Sequence, residues 1–380
     1  MRDVILELEA WWLAGETVGM ATVVQTWKSA PRQPGAAMLV GPDGSAAGSV
    51  SGGCVEGAVY ELAQATRASG NSLLQRYGVS DDDAFAVGLT CGGTIDLFIE
   101  AVDRESFPEL GSVAHDVRAG RPVAVATVIS GDPARLGRRL IVRTDGTSGS
   151  LGAARLDDAV RDDAEGMLLQ GRTGIVHYGR DGERRGDEIA VFVASYAPRP
   201  RMIVFGAIDF AAAVARAGAF LGYHVTVCDA RPTFATAKRF PDADEVIVEW
   251  PHRYLEKTEV DRRTVICVLT HDPKFDVPLL EIALRMPLAY VGAMGSRRTN
   301  ADRLDQLRGL GLSGEQLGRL HAPIGLDIGA RTPEETAISV AAEIVAARWG
   351  GTGEQLRRTD GPIHHDLDGE SSRAHGAAPD

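Results

Sequence analysis

Apolar residues in the second half of the chain fall into short runs, and stretches with helical spacing separate these runs. A strand that is apolar at nearly every position is buried on both faces, so this alternation predicts a parallel sheet between layers of helices. The last helix is predicted to begin after Thr332, because Thr-Pro-Glu-Glu supplies an N-cap, a proline at the first helical position and the glutamate of a capping box. The predicted strands lie at residues 202–205, 225–228, 245–248, 265–269 and 288–291.

The first half mixes short helices and strands without strict alternation, which predicts an α+β domain. Helices are predicted at residues 4–13 and 54–68, and two prolines within residues 195–201 favour extended backbone and predict a linker. No repeat with a period of about 20 to 50 residues is evident, so a solenoid or a propeller is not expected. The predicted strands lie at residues 20–24, 36–40, 95–99, 122–129, 138–142, 174–178 and 188–195. The predicted organisation is an α+β domain at 1–195, a linker at 196–201, a Rossmann-like domain at 202–350 and a flexible tail at 351–380.

The 380-residue chain carries 40 lysines and arginines against 52 acidic residues, a net charge of -12. This acidic excess argues against nucleic acid or an anionic membrane as a partner. No apolar run approaches the ~20 residues of a membrane span, and the first residues lack the apolar core of a signal peptide, so a cytoplasmic protein is expected. Four cysteines in 380 residues are too sparse for a disulfide scaffold, and the absence of a CxxC pair disfavours a structural zinc site.

A turn at the position of the phosphate-binding turn in dinucleotide-binding folds follows the first strand of the second half, but its sequence is altered. Gly206 begins this turn, and Asp229 ends the next strand, where an acid holds a ribose hydroxyl in such folds. Ile208 fills the space through which a glycine lets the backbone approach pyrophosphate, and Asp209 adds negative charge where phosphate binds. Two interpretations stay open, a nucleotide site or a Rossmann-shaped domain without an ordinary dinucleotide site.

A second turn, at residues 292–298, also leads from a predicted strand into a helix. Its glycines expose backbone amides, its serine adds a hydroxyl and its two arginines add guanidinium groups, all of which suit phosphate. The preceding strand ends at the same carboxyl edge of the sheet, where open α/β folds bind ligands. A phosphate-bearing ligand is therefore favoured over a tight turn with solvated arginines. The candidate residues of this edge are His271, Asp272, Gly292, Gly295, Ser296 and Arg297.

Two cysteines of the first half stand beside paired glycines. Cys54 follows one pair at the predicted start of a helix, where the dipole and free amides favour a thiolate, and Cys91 precedes the other pair. Soft thiolates suit sulfur transfer or a transition-metal complex, although a free cysteine is often only a small core residue. The pattern favours function, so both cysteines are candidate ligand contacts. The glycines of the two pairs are Gly52, Gly53, Gly92 and Gly93.

These motifs together resemble the XdhC/CoxI family, the accessory proteins of xanthine dehydrogenase and related molybdenum hydroxylases. Single motifs are weakly specific, but their order and joint presence along nearly the whole chain are specific. Where the family usually has a Gly-Ala-Gly-His turn, this chain has the altered turn at 206–209. The residues that carry the likeness are 29–32, 35–40, 48–56, 91–93, 229–232, 239–244, 270–272, 292–297, 322–329 and 332–335.

The resemblance implies an accessory chaperone rather than an enzyme. Such proteins bind the molybdenum cofactor, protect it while a cysteine desulfurase helps to replace an oxo ligand by sulfido, and deliver it to an apo molybdenum hydroxylase. They typically have an N-terminal XdhC/CoxI domain and a C-terminal Rossmann-like domain, and they form homodimers. The chain lacks the iron–sulfur cysteine sets of xanthine dehydrogenase itself. The rival hypothesis is an NAD(P)-dependent oxidoreductase, and a third is a scaffold that only bridges a hydroxylase and a desulfurase.

Motifs and resemblance together define the candidate cofactor-binding residues, and Cys54 and Cys91 are also candidate contacts of the molybdenum. In the first half the candidates are Ser29, Arg32, Gly52, Gly53, Cys54, Glu56, Cys91, Gly92 and Gly93. In the second half they are Gly206, Asp229, Arg231, His271, Asp272, Gly292, Gly295, Ser296 and Arg297.

Overall fold

The apolar runs of the chain collect into separate cores in its two halves. The computed structural model describes residues 1–27, 30–78, 93–360 and 363. The chain divides into two compact units, Met1–Pro198 and Arg199–Asp380. The first unit mixes helices with antiparallel sheets and the second contains a parallel sheet, which confirms the predicted fold class.

The first unit builds the same series of elements twice: a helix, three strands, a second helix and two strands. The first copy consists of α1 (Ile5–Leu13), β1 (Val18–Trp27), β2 (Ala37–Val40), β3 (Ala46–Gly48), α2 (Glu56–Ser69), β4 (Leu73–Tyr77) and β5 (Thr94–Val102). The second copy consists of α3 (Leu110–Arg118), β6 (Val123–Ser130), β7 (Arg139–Arg143), β8 (Gly146–Gly149), α4 (Ala154–Gln170), β9 (Gly174–Tyr178) and β10 (Ile189–Tyr196). Each copy forms a five-stranded antiparallel sheet, and the strand orders β3-β2-β1-β5-β4 and β8-β7-β6-β10-β9 are equivalent.

The two copies are far apart along the chain. Their first helices begin at Ile5 and Leu110, a spacing of 105 residues (110 − 5). That spacing exceeds the period of about 20 to 50 residues that marks solenoids and propellers. The first unit is therefore a duplicated sheet module, whose repeat is too long to show as a short sequence period.

The two sheets of the first unit share one apolar core. Met20 and Phe98 from the first sheet and Val125 and Phe192 from the second are buried in the same cluster, together with residues of α1 and α3. The other face of each sheet is covered by its own helix, α2 on the first sheet and α4 on the second. Val59 of α2 is fully buried there, which contributes roughly 2 kcal/mol from apolar burial. Each sheet thus lies between a helix and the other sheet.

The second unit is a six-stranded parallel sheet with helices on both faces, and its strand order is β13-β12-β11-β14-β15-β16. The order reverses between β11 and β14, and such a switch point leaves a crevice at the carboxyl edge of the sheet. Its elements are β11 (Arg201–Phe205), α5 (Asp209–Phe220), β12 (His224–Asp229), β13 (Glu245–Val248), α6 (Pro251–Lys257), β14 (Val265–Val268), α7 (Pro273–Ala283), β15 (Tyr290–Ala293), α8 (Arg297–Gly309), α9 (Gly314–Gly318), β16 (Leu320–His321) and α10 (Pro333–Trp349).

The last helix begins where its sequence predicts. The hydroxyl of Thr332 accepts the N–H of Glu335 at 3.2 Å, and the Glu335 carboxylate accepts the N–H of Thr332 at 3.1 Å. Gly350 ends the helix with a φ of 71°. Strands β10 and β11 extend into both ends of the predicted linker, so only residues 197–200 separate them. Among the described residues, no helix is both long enough and apolar enough to cross a membrane.

Candidate functional site

The turn between β3 and α2 is organised by one carboxylate. Glu56 accepts the Ser49 hydroxyl at 2.7 Å, the Ser51 N–H at 2.8 Å and the Gly53 N–H at 2.8 Å. Burial opposes its charge, but hydrogen bonds from the Ser51 and Ser49 hydroxyls and the Ser51 amide outweigh burial and lower the pKa of Glu56 to about 2. The predicted site residue Glu56 therefore holds the turn in shape as a carboxylate.

The sequence predicts that the helix begins at Cys54. In the structure Cys54 lies in the turn, two residues before α2 begins at Glu56. Its N–H donates to the Ser51 hydroxyl oxygen at 3.0 Å, which fixes the backbone at the thiol. The Cys54 residue is partly exposed, whereas Cys228 and Cys267 are buried in the second unit. Burial raises the pKa of each buried thiol to about 12, so neither is a nucleophile or soft ligand at neutral pH.

Gly52 and Gly53 leave open space beside the thiol. Their φ angles are 76° and 118°, in the region that favours glycine. A Cβ atom at either position would meet no atom within 4 Å, so crowding does not require these glycines. Gly48 at the start of the turn differs, because its Cβ would lie 2.3 Å from the carbonyl oxygen of Ala37. The space around Gly52 and Gly53 is thus open, and a ligand contact at Cys54 stays a prediction.

The second copy contains an equivalent turn with different chemistry. Asp157 stands where the first copy has Glu56 (56 + 101), and it accepts the Ser150 hydroxyl at 2.7 Å and the Leu151 N–H at 2.7 Å. Arg155 takes the position of Cys54 (54 + 101), and Ala153 has an extended φ of -155°. The carboxylate acceptor is therefore duplicated, but Arg155 lies inside α4 whereas Cys54 precedes α2, and the thiol and the glycine pair with positive φ belong to the first copy alone.

The other first-half candidates are placed less completely. Ser29, Cys91 and Gly92 lie outside the residues that the structure describes. Gly93 is buried directly before β5. Arg32 forms an ion pair with Asp3 at 3.1 Å, so part of its guanidinium is already engaged. The contact of both Cys54 and Cys91 with one ligand therefore stays a prediction.

In the altered turn of the second unit, which begins at Gly206, a backbone amide is already hydrogen-bonded to Asp229. Asp229 accepts the Ala207 N–H at 2.7 Å, and Arg231 donates to both oxygens of Asp229 at 2.9 and 2.8 Å. Burial opposes the charge of Asp229, but the bonds from Arg231 and Ala207 keep its pKa below the ordinary value. Asp229, which the sequence predicts to bind ribose, thus accepts a hydrogen bond from a backbone amide of the turn that binds phosphate in dinucleotide-binding folds.

Gly206 in the same turn is explained by crowding. Its φ is 112°, and a Cβ there would lie 3.0 Å from the backbone nitrogen of Thr270 and 3.1 Å from the carbonyl carbon of Leu269. Both neighbours are backbone atoms at the end of the adjacent strand β14, so they have little freedom to move. Close approach of two strand ends requires this glycine, whether or not a ligand binds.

The turn before α8 stays accessible. Gly295 has a φ of 152°, and the Ser296 hydroxyl caps the helix by accepting the Thr299 N–H at 3.1 Å. Arg297 is exposed beside it. Gly292 is not part of this turn, because it lies inside β15, where a Cβ would be 2.5 Å from the side chain of Ile324.

The two predicted residues after β14, His271 and Asp272, lie in the segment that leads into α7. His271 is exposed, and Asp272 caps α7 by accepting the Lys274 N–H at 3.1 Å. The hydrogen bonds from Lys274 lower the pKa of Asp272. Asp272 is therefore the cap of a helix, and its side chain is only partly available to a ligand.

A buried ion pair beneath these turns was missed by the sequence reasoning. Asp276 of α7 and Arg303 of α8 are 2.7 Å apart, with side chains 3% and 4% exposed. The Thr270 hydroxyl donates to Asp276, and Arg303 donates to the carbonyl of Met294 at 3.0 Å. The signal was present, because Asp276 shares the buried face of α7 with Leu279 at i+3, and a charged residue at an apolar-face position needs a partner.

A second, partly buried network fixes the motif at residues 322–329. Glu343 of α10 accepts the Gly325 N–H at 2.7 Å and the Tyr290 hydroxyl, and lies 3.3 Å from Nδ1 of His321. Burial opposes the charge of Glu343, and the bonds from His321 and Tyr290 lower its pKa. The motif thus has a clear structural role in attaching the segment after β16 to the last helix.

Both halves of the chain match models of known protein families. The model of the XdhC and CoxI family matches residues 11–78 and 116–179, and the model of the XdhC Rossmann domain matches residues 202–344. This chain belongs to the XdhC and CoxI family. The two separate matches of the family model fall on the two copies of the first unit, which agrees with the duplication seen in the strand order.

Proteins similar to this chain match it over nearly its whole length. A protein of Bacillus subtilis (strain 168), named as a probable subunit of xanthine dehydrogenase, is 30% identical over 351 residues, which are 92% of this chain and 96% of that protein. The molybdenum cofactor insertion chaperone PaoD of Escherichia coli (strain K12) is 28% identical over 336 residues, 88% of this chain and 85% of PaoD. A crystal structure described as a xanthine dehydrogenase from Bacillus halodurans has a TM-score of 0.65 and 26% identity, and the match covers 90% of this chain and 95% of that one.

The XdhC-type turn at Cys54 fits the chemistry of a molybdenum cofactor. The cofactor holds its metal through its own sulfur atoms, so the protein needs only a soft contact and open space, and Cys54 with Gly52 and Gly53 provides both. Within the part of the chain that the structure describes, no group of three or more His, Cys, Asp or Glu side chains could hold a bare metal ion.

Proposed function

We propose that this chain binds the molybdenum cofactor and delivers it to a molybdenum hydroxylase of the xanthine dehydrogenase or carbon monoxide dehydrogenase type. The observation that carries the proposal is the turn at residues 48–56, which places the partly exposed Cys54 beside two glycines that crowding does not require. Family membership and the name of the relative PaoD support the same cofactor class.

The second copy strengthens this assignment. There Asp157 accepts a serine hydroxyl and a backbone amide as Glu56 does, with an arginine at the position of the thiol, so these bonds do not need Cys54. The positive φ angles account for the two glycines, so the argument for a ligand rests on the partly exposed thiol of Cys54, which only the first copy has. Bound cofactor supplies a molybdenum centre with exchangeable oxo and sulfido ligands. Cys54 contacts it, Gly52 and Gly53 leave room for it, and Glu56 keeps the turn rigid.

The test compares two variants at equivalent positions. Protein is purified without oxygen from cells fed with molybdate, and bound molybdenum and pterin are measured for the wild type, Cys54→Ser and Arg155→Ser. The wild type and Arg155→Ser should carry cofactor, and Cys54→Ser should lose most of it. Equal retention by all three variants, or an empty wild type, would contradict the proposal. Cys91→Ser in the same assay tests the second predicted thiol.

The partners belong to the same proposal. We propose an apo molybdenum hydroxylase as the client, a cysteine desulfurase as the source of the sulfido ligand, and a homodimer as the working form in the cytoplasm. Pull-down of both the hydroxylase and the desulfurase with cofactor-loaded protein would support these two partners. Complex formation by protein that never retains cofactor would instead favour the scaffold hypothesis.

No observation favours the NAD(P)-dependent oxidoreductase. The Ala207 amide is bonded to Asp229, and crowding against Thr270 explains Gly206, so neither residue indicates a dinucleotide. Titration with NADH, followed by its fluorescence, should therefore show no saturable binding. Micromolar binding would restore the oxidoreductase hypothesis.

A further inference from the structure

We infer that the outer face of α10 is the surface through which two copies of this chain form a homodimer, with their α10 helices antiparallel across a two-fold axis. The inference deepens the proposed function, on which it rests for the working homodimer, and it names the surface of that dimer. Its evidence comes from α10 and the neighbouring α5, and it is independent of the cofactor.

Helix α10 is apolar on two opposite faces. The inner face packs into the core of the second unit through three buried residues, Ala337, Val340 and Ile344. The outer face carries Ile338, Val345 and Trp349, which are 62%, 41% and 43% exposed and share one stripe because they are seven and four residues apart. A helix with apolar residues on both faces is typical of a helix that is covered on both. The outer face of α10 therefore fits a protein partner.

The exposed apolar surface continues onto α5, which packs against α10 in the same core. Arg348 interacts with the hydroxyl of Tyr223, shortly after α5 ends, so the last turns of the two helices are neighbours. Phe220 at the end of α5 is 89% exposed. The apolar patch is therefore wider than one helix at the end that carries Trp349, and contiguous patches of this kind mark interaction surfaces.

The charges at the two ends of the stripe are opposite and unpaired. Glu334 lies in the first turn of α10 and Arg348 in its last turn, and both are exposed. Neither side chain forms an ion pair with another residue in the described part of the chain. The stripe thus runs from an acid through apolar residues to a base, which is a self-complementary order for an antiparallel partner.

A two-fold axis that passes between residues 341 and 342 satisfies the whole stripe. It sets Ile338 opposite Val345 of the second copy, and it sets Glu334 beside Arg348 of the second copy. Both residues at the centre are alanines, whose small side chains allow the helix axes to approach to about 8 Å. Every contact occurs twice in such an isologous pair. A second copy of this chain therefore covers the apolar residues and neutralises both charges.

The experiment measures the mass of the full chain by sedimentation velocity at micromolar concentrations. The wild type should be a dimer. Ile338→Glu places an unpaired charge on each side of the centre of the interface and should raise the dissociation constant at least about hundredfold. The matched control is Leu169→Glu in α4 of the first unit, where the leucine is 75% exposed, and it should stay a dimer.

Reversed charges test the antiparallel pairing with exposed residues that the fold does not need. Glu334→Arg alone meets Arg348 of the second copy, and Arg348→Glu alone meets Glu334, so each variant has two repulsive pairs and should dimerise at least about tenfold more weakly. An equimolar mixture of the two variants has an attractive pair at both ends and should form a heterodimer.

A monomeric wild type, or a dimer that Ile338→Glu leaves unchanged, would overturn the inference. Charge variants that are weakened alone but not rescued by mixing would overturn the antiparallel arrangement. If Ile338→Glu stays dimeric but no longer captures the apo hydroxylase, the outer face of α10 belongs to the client enzyme and the inference is wrong.

The two proposals fail separately. A monomeric wild type that carries molybdenum and pterin would remove the dimer surface and leave cofactor binding intact. A wild type that dimerises through α10 but never carries cofactor would keep the surface and remove cofactor binding.

Discussion

Glu56 offers the sharpest prediction, because one carboxylate organises the turn that holds Cys54. Glu56→Gln keeps the shape of the side chain but removes its charge, so the amides and hydroxyls of the turn lose their anionic acceptor. The pKa of Glu56 falls from its ordinary value of 4.5 to about 2 in the folded chain, which corresponds to roughly 3 kcal/mol at neutral pH. Because the side chain is partly exposed, solvent screening reduces the expected loss to about 1–2 kcal/mol.

The pH dependence of this loss has a defined sign. A carboxylate whose folded pKa is lowered stabilises the fold above its unfolded pKa, and this contribution disappears as the pH falls through the folded value. The difference in free energy of unfolding between the wild type and Glu56→Gln should therefore be full above pH 4.5 and should shrink toward zero as the pH approaches 2. Urea unfolding at several pH values, followed by circular dichroism, measures this difference.

Asp157→Asn is the matched control, because it weakens the equivalent hydrogen bonds in the second copy. Both variants should lose stability at neutral pH, but only Glu56→Gln should lose bound cofactor in the anaerobic purification. A stability difference for Glu56→Gln that stays constant from pH 7 to pH 3 would refute the electrostatic account. Loss of cofactor by both variants alike would refute the assignment of the site to the first copy.

Two further predictions use the other thiols and the crowded glycine. In the native protein, iodoacetamide should label the Cys54 peptide well before the Cys228 and Cys267 peptides, because burial raises the pKa of the latter two thiols to about 12. Mass spectrometry measures the labelling rates. Equal rates for the three peptides would show that the second unit opens readily. Gly206→Ala should cost about 1–3 kcal/mol more than Gly222→Ala, since both have positive φ but only Gly206 faces backbone within 3.1 Å; equal unfolding midpoints in urea would contradict the crowding argument.

Local patterns in the sequence were sufficient for much of the second unit. Apolar runs predict strands β11 to β15 because burial on both faces requires continuous apolar residues. The capping box at Thr332 predicts the start of α10 because the hydrogen bonds of a cap join residues only three positions apart. The same local reasoning located the turn before α8 and the glycine pair at Cys54, which together contain several of the candidate residues.

Relations between distant residues were decided only by the tertiary structure. The duplication was hidden because the two copies begin 105 residues apart, and Glu56 and Asp157 are recognised as equivalent by the hydroxyl and amide bonds that each accepts. The pair Asp276–Arg303 joins residues 27 positions apart, and the contact of Gly206 with Thr270 joins two strand ends across the switch point. Spacing along the chain indicates periodicity and caps, which depend on near neighbours. Spacing along the chain does not indicate which strand ends become adjacent. That adjacency determines whether a glycine or an arginine is required for packing or is available to bind a ligand.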